Sequence, residues 1–227
     1  MNSVSNLELF LEDLKKKNLE GVALVEYLYG FVRDDIKFDF LPGIDDVTAA
    51  EVFDARSGQC NNKTILFLEM LKFFKFNVKA HFSTIDKNIQ RGFFPFIMMW
   101  LAPKEIGHSW IEVEINGKWV MLDGYINDQK LFKGAMIINK NNNWKTGHSV
   151  ADGDCGASTD FSLNNDKFVQ MEAVKTDFGL TTDALSFVRS NKNPNNVNFF
   201  KKSMYKLMLP LIRARVVKVR EIGESEK

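Results

Sequence analysis

The sequence predicts an α+β fold, in which helices come first and an antiparallel sheet follows. In the first part of the chain, apolar residues recur at helical spacing over segments 22–31 and 65–71. After Asn77 the spacing falls to two, as in a half-buried strand. Farther on, two alternating runs are joined by Asn116-Gly117, a strong signal for a tight hairpin because both residues tolerate positive φ. This order of elements is typical of an α+β domain.

Composition excludes several classes of protein. The chain has 227 residues, 45% of them hydrophobic and 26% charged, so it is able to form a sizeable core. Lys and Arg total 30 against 29 Asp and Glu, which argues against a globally basic nucleic-acid binder. Two cysteines, Cys60 and Cys155, allow at most one disulfide, and the first residues lack the pattern of a signal peptide. We therefore expect a soluble, cytoplasmic protein.

Four helices are predicted before the sheet. The first is opened by a capping box of Ser5 and Glu8, and the second covers 22–31. Asp45 or Asp46 is a candidate cap for the third, which would end near Phe53. The fourth begins after the loop 56–58, with Cys60 in its first turn and Ile65, Leu68 and Leu71 on one apolar stripe.

The hairpin sets the register of two strands, 109–115 and 118–122. With a two-residue loop, Ile111 faces Leu122 and Trp110 faces Asp123. His108 and Asp123 then share a face as diagonal neighbours, about 7–8 Å apart at the backbone and within reach of a side-chain hydrogen bond. A slip of one residue would move Asp123 to the opposite face and destroy this arrangement.

Cys60 is the candidate nucleophile. A helix N-terminus stabilises a thiolate through its dipole and its free N–H groups. The alternative is that Cys60 packs as a small buried apolar residue, which is the usual role of a free cysteine. The His108–Asp123 pair favours the chemical role, because a carboxylate would orient the imidazole as a general base for the thiol.

The same residues resemble a known family. Arg56-Ser57-Gly58-Gln59-Cys60, His108-Ser109-Trp110, Gly117-Lys118-Trp119 and Leu122-Asp123 are similar to the motifs of the transglutaminase-like superfamily. The resemblance covers roughly residues 20–125. It implies a papain-like fold, with the nucleophile helix packed on an antiparallel β-sheet, and a triad of Cys60, His108 and Asp123. It implies no metal and no cofactor.

The sequence departs from the animal transglutaminases in two ways. Every tryptophan follows Cys60, and no acidic loop has the spacing of a calcium site. The resemblance therefore supports Cys-His-Asp chemistry and not protein cross-linking in particular.

An oxyanion formed at the substrate carbonyl needs hydrogen-bond donors. The backbone N–H of Cys60 would supply one. Gln59, Tyr27 and Tyr29 are candidates for the second, and Trp110 is a further candidate for oxyanion or substrate contact.

Other polar residues are given lesser roles. His148 is a rival base, but we interpret it as an exposed loop histidine. A metal site from His148, Asp152, Asp154 and Cys155 is rejected because it lacks a recognised ligand spacing. The segment 93–101 is expected to be core, with a minority hypothesis that it walls the substrate cleft.

The C-terminal part gives weaker signals. We predict a catalytic core over 1–135 and, over 136–227, an elaboration of the same domain that ends in a basic amphipathic helix. Polar breaks lie at 139–143 and 191–198, and Thr182 or Asp183 caps a short helix. Segment 199–220 carries seven Lys and Arg and no acid, so contact with an anionic membrane is an option. We favour instead a helix that packs its apolar residues (Phe200, Met204, Leu207 and Leu211) onto the domain.

Together these features predict a cysteine-dependent enzyme that acts on a peptide, a protein or a small amide through a thioester acyl-enzyme. The acyl group would pass to water or to an amine. An acyltransferase similar to arylamine N-acetyltransferases and a non-catalytic binding module with the same fold are the alternatives.

Overall fold

The computed structural model describes residues 4–153 and 156–225. Its helices are α1 Asn6–Lys15, α2 Gly21–Asp34, α3 Ala49–Ala55, α4 Cys60–Phe73, α5 Phe96–Leu101, α6 Gln129–Asn141, α7 Ala184–Arg189 and α8 Phe199–Ser225. Its strands are β1 Lys37–Phe38, β2 Ser57–Gly58, β3 Val78–Asp86, β4 Glu105–Ile115, β5 Lys118–Leu122, β6 Thr146–Gly147, β7 Val150–Ala151 and β8 Val174–Thr181. The predicted α+β class is confirmed.

The main sheet has four antiparallel strands in the order β5-β4-β3-β8. The hairpin of β4 and β5 has the predicted register, with Ile111 opposite Leu122. Asn116 and Gly117 have φ values of 52° and 75°, the positive values that a two-residue turn of this type needs. Strand β8, which extends the sheet at its other edge, was not predicted.

Helix α4 is the centre of the fold. It packs on β3 and β4 on one side and on α2 and α3 on the other. Residues on every side of it are therefore buried, including Leu66, Phe67 and Leu68 at 0% exposure. The Thr64 hydroxyl donates to the Ser109 carbonyl at 3.2 Å and fixes the helix to β4.

The predicted cap of α3 is wrong. Thr48, and not Asp45 or Asp46, precedes the helix and forms a capping box with Glu51. The Thr48 hydroxyl accepts from the Glu51 N–H at 3.3 Å, and the Glu51 carboxylate accepts from the Thr48 N–H at 2.7 Å. Asp45 is instead buried, with only 3% of its surface exposed.

The polar break at 139–143 is in part helical, because α6 continues to Asn141. Farther along the chain, Asp183 caps α7 as one of the two predicted candidates, its carboxylate accepting from the Ser186 N–H at 2.9 Å.

Helix α8 packs on the domain as predicted, but the predicted buried face is wrong for three of its four residues: Met204 packs against the core, whereas Phe200, Leu207 and Leu211 are exposed. Phe200 and Leu207 are 70% and 73% exposed. The residues that pack on the domain are Tyr205, Leu209, Ile212, Val216 and Val219. Polar anchors fix this rotation of the helix, since Tyr205 donates to the Leu41 carbonyl at 2.9 Å and Arg213 to the Phe40 carbonyl at 3.0 Å. In the described parts of the chain, no helix combines the length and the apolarity that a bilayer crossing requires.

Candidate active site

Cys60 is the first residue of α4 and lines a cavity. Gly58 of β2 precedes it and lies so close to the helix that an added Cβ would be 2.8 Å from the Asn62 Cβ. This close approach explains the glycine of the motif, because a side chain there would push the nucleophile away from the sheet. Aromatic residues (Phe38, Phe40 and Phe93) form much of the cavity wall.

The sulfur of Cys60 lies beside strand β4. Backbone N–H groups of Asn61 and Ser109 are directed at it and favour the thiolate. Burial and the negative charge of Asp45 act more strongly in the opposite direction and raise the thiol pKa to about 12. The resting site therefore holds a neutral thiol.

His108 is fully buried on β4, next in sequence to Ser109. Among the described residues, neither of its ring nitrogens has a hydrogen-bond partner. Burial lowers the pKa of the imidazole to about 3, so the ring is neutral. An unpaired buried histidine is costly, and such groups are typical of sites where a proton acceptor must stay available.

Asp123 directly follows β5, whose pairing with β4 ends at Ile111 and Leu122. Its carboxylate accepts from the backbone N–H groups of Val169 and Gln170, each at 2.8 Å. The predicted hydrogen bond to His108 is absent from this structure, because these two donors hold the carboxylate. Burial nonetheless raises the pKa of Asp123 to about 7.

The four candidates for the second oxyanion contact are placed differently. Gln59 lines the cavity beside Cys60 and is 7% exposed. Tyr27 is partly exposed, with its hydroxyl accepting from the Lys17 amine at 3.2 Å. Tyr29 is buried, and its hydroxyl donates to the carbonyls of residues 159 and 160. Neither tyrosine lines the cavity of Cys60, so the structure gives them no role as donors there.

Trp110 is buried on the His108 face of the sheet, with the two rings 5.8 Å apart. Its indole N–H lacks a partner within the described residues, as does the Ser83 hydroxyl on the neighbouring strand. Trp110 also stacks on His81 at 4.1 Å between ring centroids. Like His108, it does not line the cavity of Cys60.

Asp45 organises the site, a role that sequence reasoning missed. Its carboxylate accepts from the side-chain amides of Gln59 and Asn61 at 2.8 Å each. It also accepts from Asn193 at 3.0 Å and Asn195 at 2.8 Å. The hydrogen bond to Asp45 holds Gln59 beside Cys60. The hydrogen bonds from Asn193 and Asn195 join Asp45 to a segment about 150 residues farther along the chain. No local pattern reveals such a contact.

His148 is buried, not exposed as expected. Its Nδ1 is 2.7 Å from the Asn139 side-chain oxygen, and its ring stacks on Trp144. The ring packs on Gly92, where a Cβ would lie 1.8 Å from Nε2. Burial lowers its pKa to about 4. It therefore fills a structural position outside the cavity of Cys60.

Two polar features remain, the candidate metal ligands and the buried amine of Lys63. No cluster of three or more His, Cys, Asp or Glu suited to a metal ion occurs among the described residues, while Asp154 and Cys155 lie outside them. Lys63, one turn after Cys60, donates to the carbonyls of Arg33 and Ile126. Burial lowers its pKa to about 7, but both contacts are structural.

Comparison with known families identifies the superfamily of the chain. Residues 10–124 match the sequence model of the transglutaminase-like superfamily, and the chain belongs to that superfamily. The matched region contains Cys60, His108 and Asp123. Neither the curated proteins nor the solved structures contain a significant match to the chain.

Proposed function

We propose that the protein is a cysteine-dependent enzyme that cleaves an amide through a thioester acyl-enzyme. The observation that carries the proposal is a cavity-lining thiol on the N-terminus of a helix that packs on the strand of an unpaired, neutral, buried histidine, His108. Membership of the transglutaminase-like superfamily supports papain-like cysteine chemistry at these residues.

In the proposed mechanism, His108 takes the proton of the Cys60 thiol as the sulfur attacks the substrate carbonyl carbon. The backbone N–H of Cys60 and the side-chain amide of Gln59 stabilise the oxyanion. Collapse of the tetrahedral intermediate breaks the C–N bond, and the imidazolium returns its proton to the leaving amine. Water or a second amine, deprotonated by His108, then attacks the thioester and releases Cys60.

The pKa values of Cys60 and His108 in the absence of substrate set a condition on this mechanism. A thiol with a pKa of about 12 does not pass its proton to an imidazole with a pKa of about 3 while the two remain apart. A hydrogen bond between them, with the resulting ion pair held near Asp123, must form when substrate binds. The unpaired ring nitrogens of His108 are free to make it.

The test uses p-nitrophenyl acetate, an activated acyl donor, on a Cys155→Ser background in which Cys60 is the single thiol. We expect a burst of p-nitrophenolate and a mass increase of one acetyl group on Cys60. His108→Asn should slow acylation at least about 100-fold, in the range of general-base effects. His81→Asn is the matched control, because His81 binds Glu112 and Asp177 outside the cavity.

A non-catalytic binding module is the second candidate, favoured by the raised pKa of Cys60 and by the missing His108–Asp123 hydrogen bond. In that case no acetyl-enzyme forms. Iodoacetamide would also label Cys60 only as the pH rises above the ordinary thiol pKa of about 8.5, at a rate that His108→Asn does not change. The missing acetyl-enzyme contradicts the proposed enzyme, whereas the iodoacetamide profile alone does not, because the resting enzyme also holds a neutral thiol.

For an active enzyme, a labelled primary amine separates the two outcomes of the acyl-enzyme. Its incorporation into the product indicates transfer, and release of acetate alone indicates hydrolysis.

A further inference from the structure

A second cavity adjoins the one that holds Cys60. Its volume is about 650 Å³, counting the solvent at its mouth, against about 370 Å³ for the cavity of Cys60. The two cavities share Gln59, Gln90, Ile106 and Asn195 as lining residues. A ligand bound at Cys60 can therefore extend into the second cavity.

The second cavity is apolar beyond this shared boundary. Helix α5 and its flanks contribute Phe94, Met98 and Leu101, and α8 with the residues before it contributes Val197 and Met204.

Polar groups of two further lining residues have partners outside the cavity. The Tyr205 hydroxyl donates to the Leu41 carbonyl at 2.9 Å. The Lys201 amine donates to the Leu101 carbonyl at 3.3 Å. The ring of Tyr205 and the methylene groups of Lys201 are thus what these side chains present to the cavity.

The apolar character continues onto the outside of the same two helices. Phe96 and Trp100 of α5 are 85% and 69% exposed, and Phe200 of α8 is 70% exposed. Large apolar residues grouped on a surface mark binding sites in many proteins. Here they lie on the two helices that contribute to the second cavity.

We infer that the second cavity binds an apolar chain attached to the carbonyl that Cys60 attacks. The inference rests on the proposed function and names its substrate class, which is amides or esters of aliphatic or aromatic acids. The polar boundary formed by Gln59, Gln90 and Asn195 lies beside the reacting carbonyl, and the acyl chain extends past Ile106 toward Met98 and Met204. Pockets of this apolar character bind such groups by removing apolar surface from water.

The experiment compares the rates at which p-nitrophenyl acetate and p-nitrophenyl hexanoate acylate Cys60. Each rate is divided by the rate at which the same ester reacts with free N-acetylcysteine. We expect the hexanoyl group to be transferred about 10-fold faster or more, since four further methylenes enter the apolar cavity. Met204→Lys should lower the hexanoyl rate far more than the acetyl rate and so abolish this preference, because Met204 lines the second cavity and not that of Cys60.

Leu207→Lys is the matched control. It introduces the same charge three residues farther along α8, at a position that lines neither cavity, and should retain the preference. Equal normalised rates for the two esters, or a preference that Met204→Lys leaves intact, would overturn the inference while the enzyme proposal stands. Absence of any acyl-enzyme from either ester would overturn both.

Discussion

At the residue scale, burial determines the protonation state of each member of the candidate triad. It raises the pKa of Cys60 to about 12 and that of Asp123 to about 7, and it lowers the pKa of His108 to about 3. All three shifts favour the uncharged form, as expected for groups removed from water. The charges that the mechanism needs arise only when these groups act on one another.

The ionisation of Asp123 should make the rate of Cys60 acylation depend on pH. Its raised pKa means that the carboxyl is neutral below about pH 7 and negative above it. A negative carboxylate favours the imidazolium of His108, so acylation of Cys60 should speed up as the pH rises through about 7. The measurement is the burst rate with p-nitrophenyl acetate between pH 5 and 8.5.

Asp123→Asn should remove the rise through pH 7, because the amide does not ionise. Asp166→Asn is the control, since Asp166 is exposed and accepts a hydrogen bond from Ser162. A profile that keeps its rise in Asp123→Asn would show that another group titrates and that Asp123 does not act on His108.

Single residues also show how far the sequence predicts the site. Cys60, His108 and Asp123 were predicted as a triad because each lies in a short motif at a recognisable place on an element, and the triad stays a prediction. Asp45 and its partners Asn193 and Asn195 were not identified, since their association depends on tertiary packing between distant segments. Asp45 was even assigned to a helix cap, because an aspartate before a helix fits that local role equally well.

At the element scale, local patterns predict structure well where a single physical preference dominates. The Asn116-Gly117 turn has few alternatives, and it fixed the register of β4 and β5 correctly. The rotation of α8 was predicted wrongly because the helix has apolar residues on more than one face. Its buried face is decided by hydrogen bonds from Tyr205 and Arg213 to distant carbonyls, which the sequence does not show.

Helices α6 and α8 depend on glycines where they cross. An added Cβ at Gly134 would lie 1.9 Å from the Val219 carbonyl oxygen, and one at Gly223 would lie 1.9 Å from the Lys130 carbonyl oxygen. Because both obstacles are backbone atoms, the helices must move apart to admit a methyl group. We expect Gly134→Ala to lower the free energy of unfolding by about 2 kcal/mol or more, measured by urea denaturation.

Gly30→Ala is the matched control for this crossing. Gly30 lies within α2, and a Cβ there would meet no heavy atom within 4 Å. Alanine is the better helix former, so this variant should gain up to about 1 kcal/mol. Equal effects of the two substitutions would mean that α6 and α8 are not in close contact at Gly134.

At the scale of the whole molecule, α8 links the C-terminal region to the walls of the candidate site. Arg213, Arg215 and Arg220 donate to the carbonyls of Phe40, Phe93 and Phe38, respectively. All three phenylalanines line the cavity of Cys60. These three arginines of segment 199–220 therefore face the protein, and their contacts hold part of the cavity in place from outside the family-matching region 10–124.

Arg220 is the strongest of these links. Its guanidinium contacts both oxygens of Asp128, at 3.0 and 2.8 Å, in addition to the Phe38 carbonyl at 2.8 Å. Arg220→Met would leave the carboxylate of Asp128, whose side chain is 1% exposed, without its main cationic partner. Removing one member of a buried ion pair costs about 3–5 kcal/mol, so urea denaturation should show a loss of this size.

Lys218→Met tests whether the loss reflects the contact or merely the removal of a positive charge from α8. Lys218 is exposed on the same helix, and its substitution should change stability by no more than about 0.5 kcal/mol. If the two variants lose the same stability, general electrostatics is the cause and α8 does not secure the cavity through Arg220. If only Arg220→Met is destabilised, its rate of Cys60 acylation, measured where both variants are folded, should also fall, because Phe38 has lost the contact that positions it.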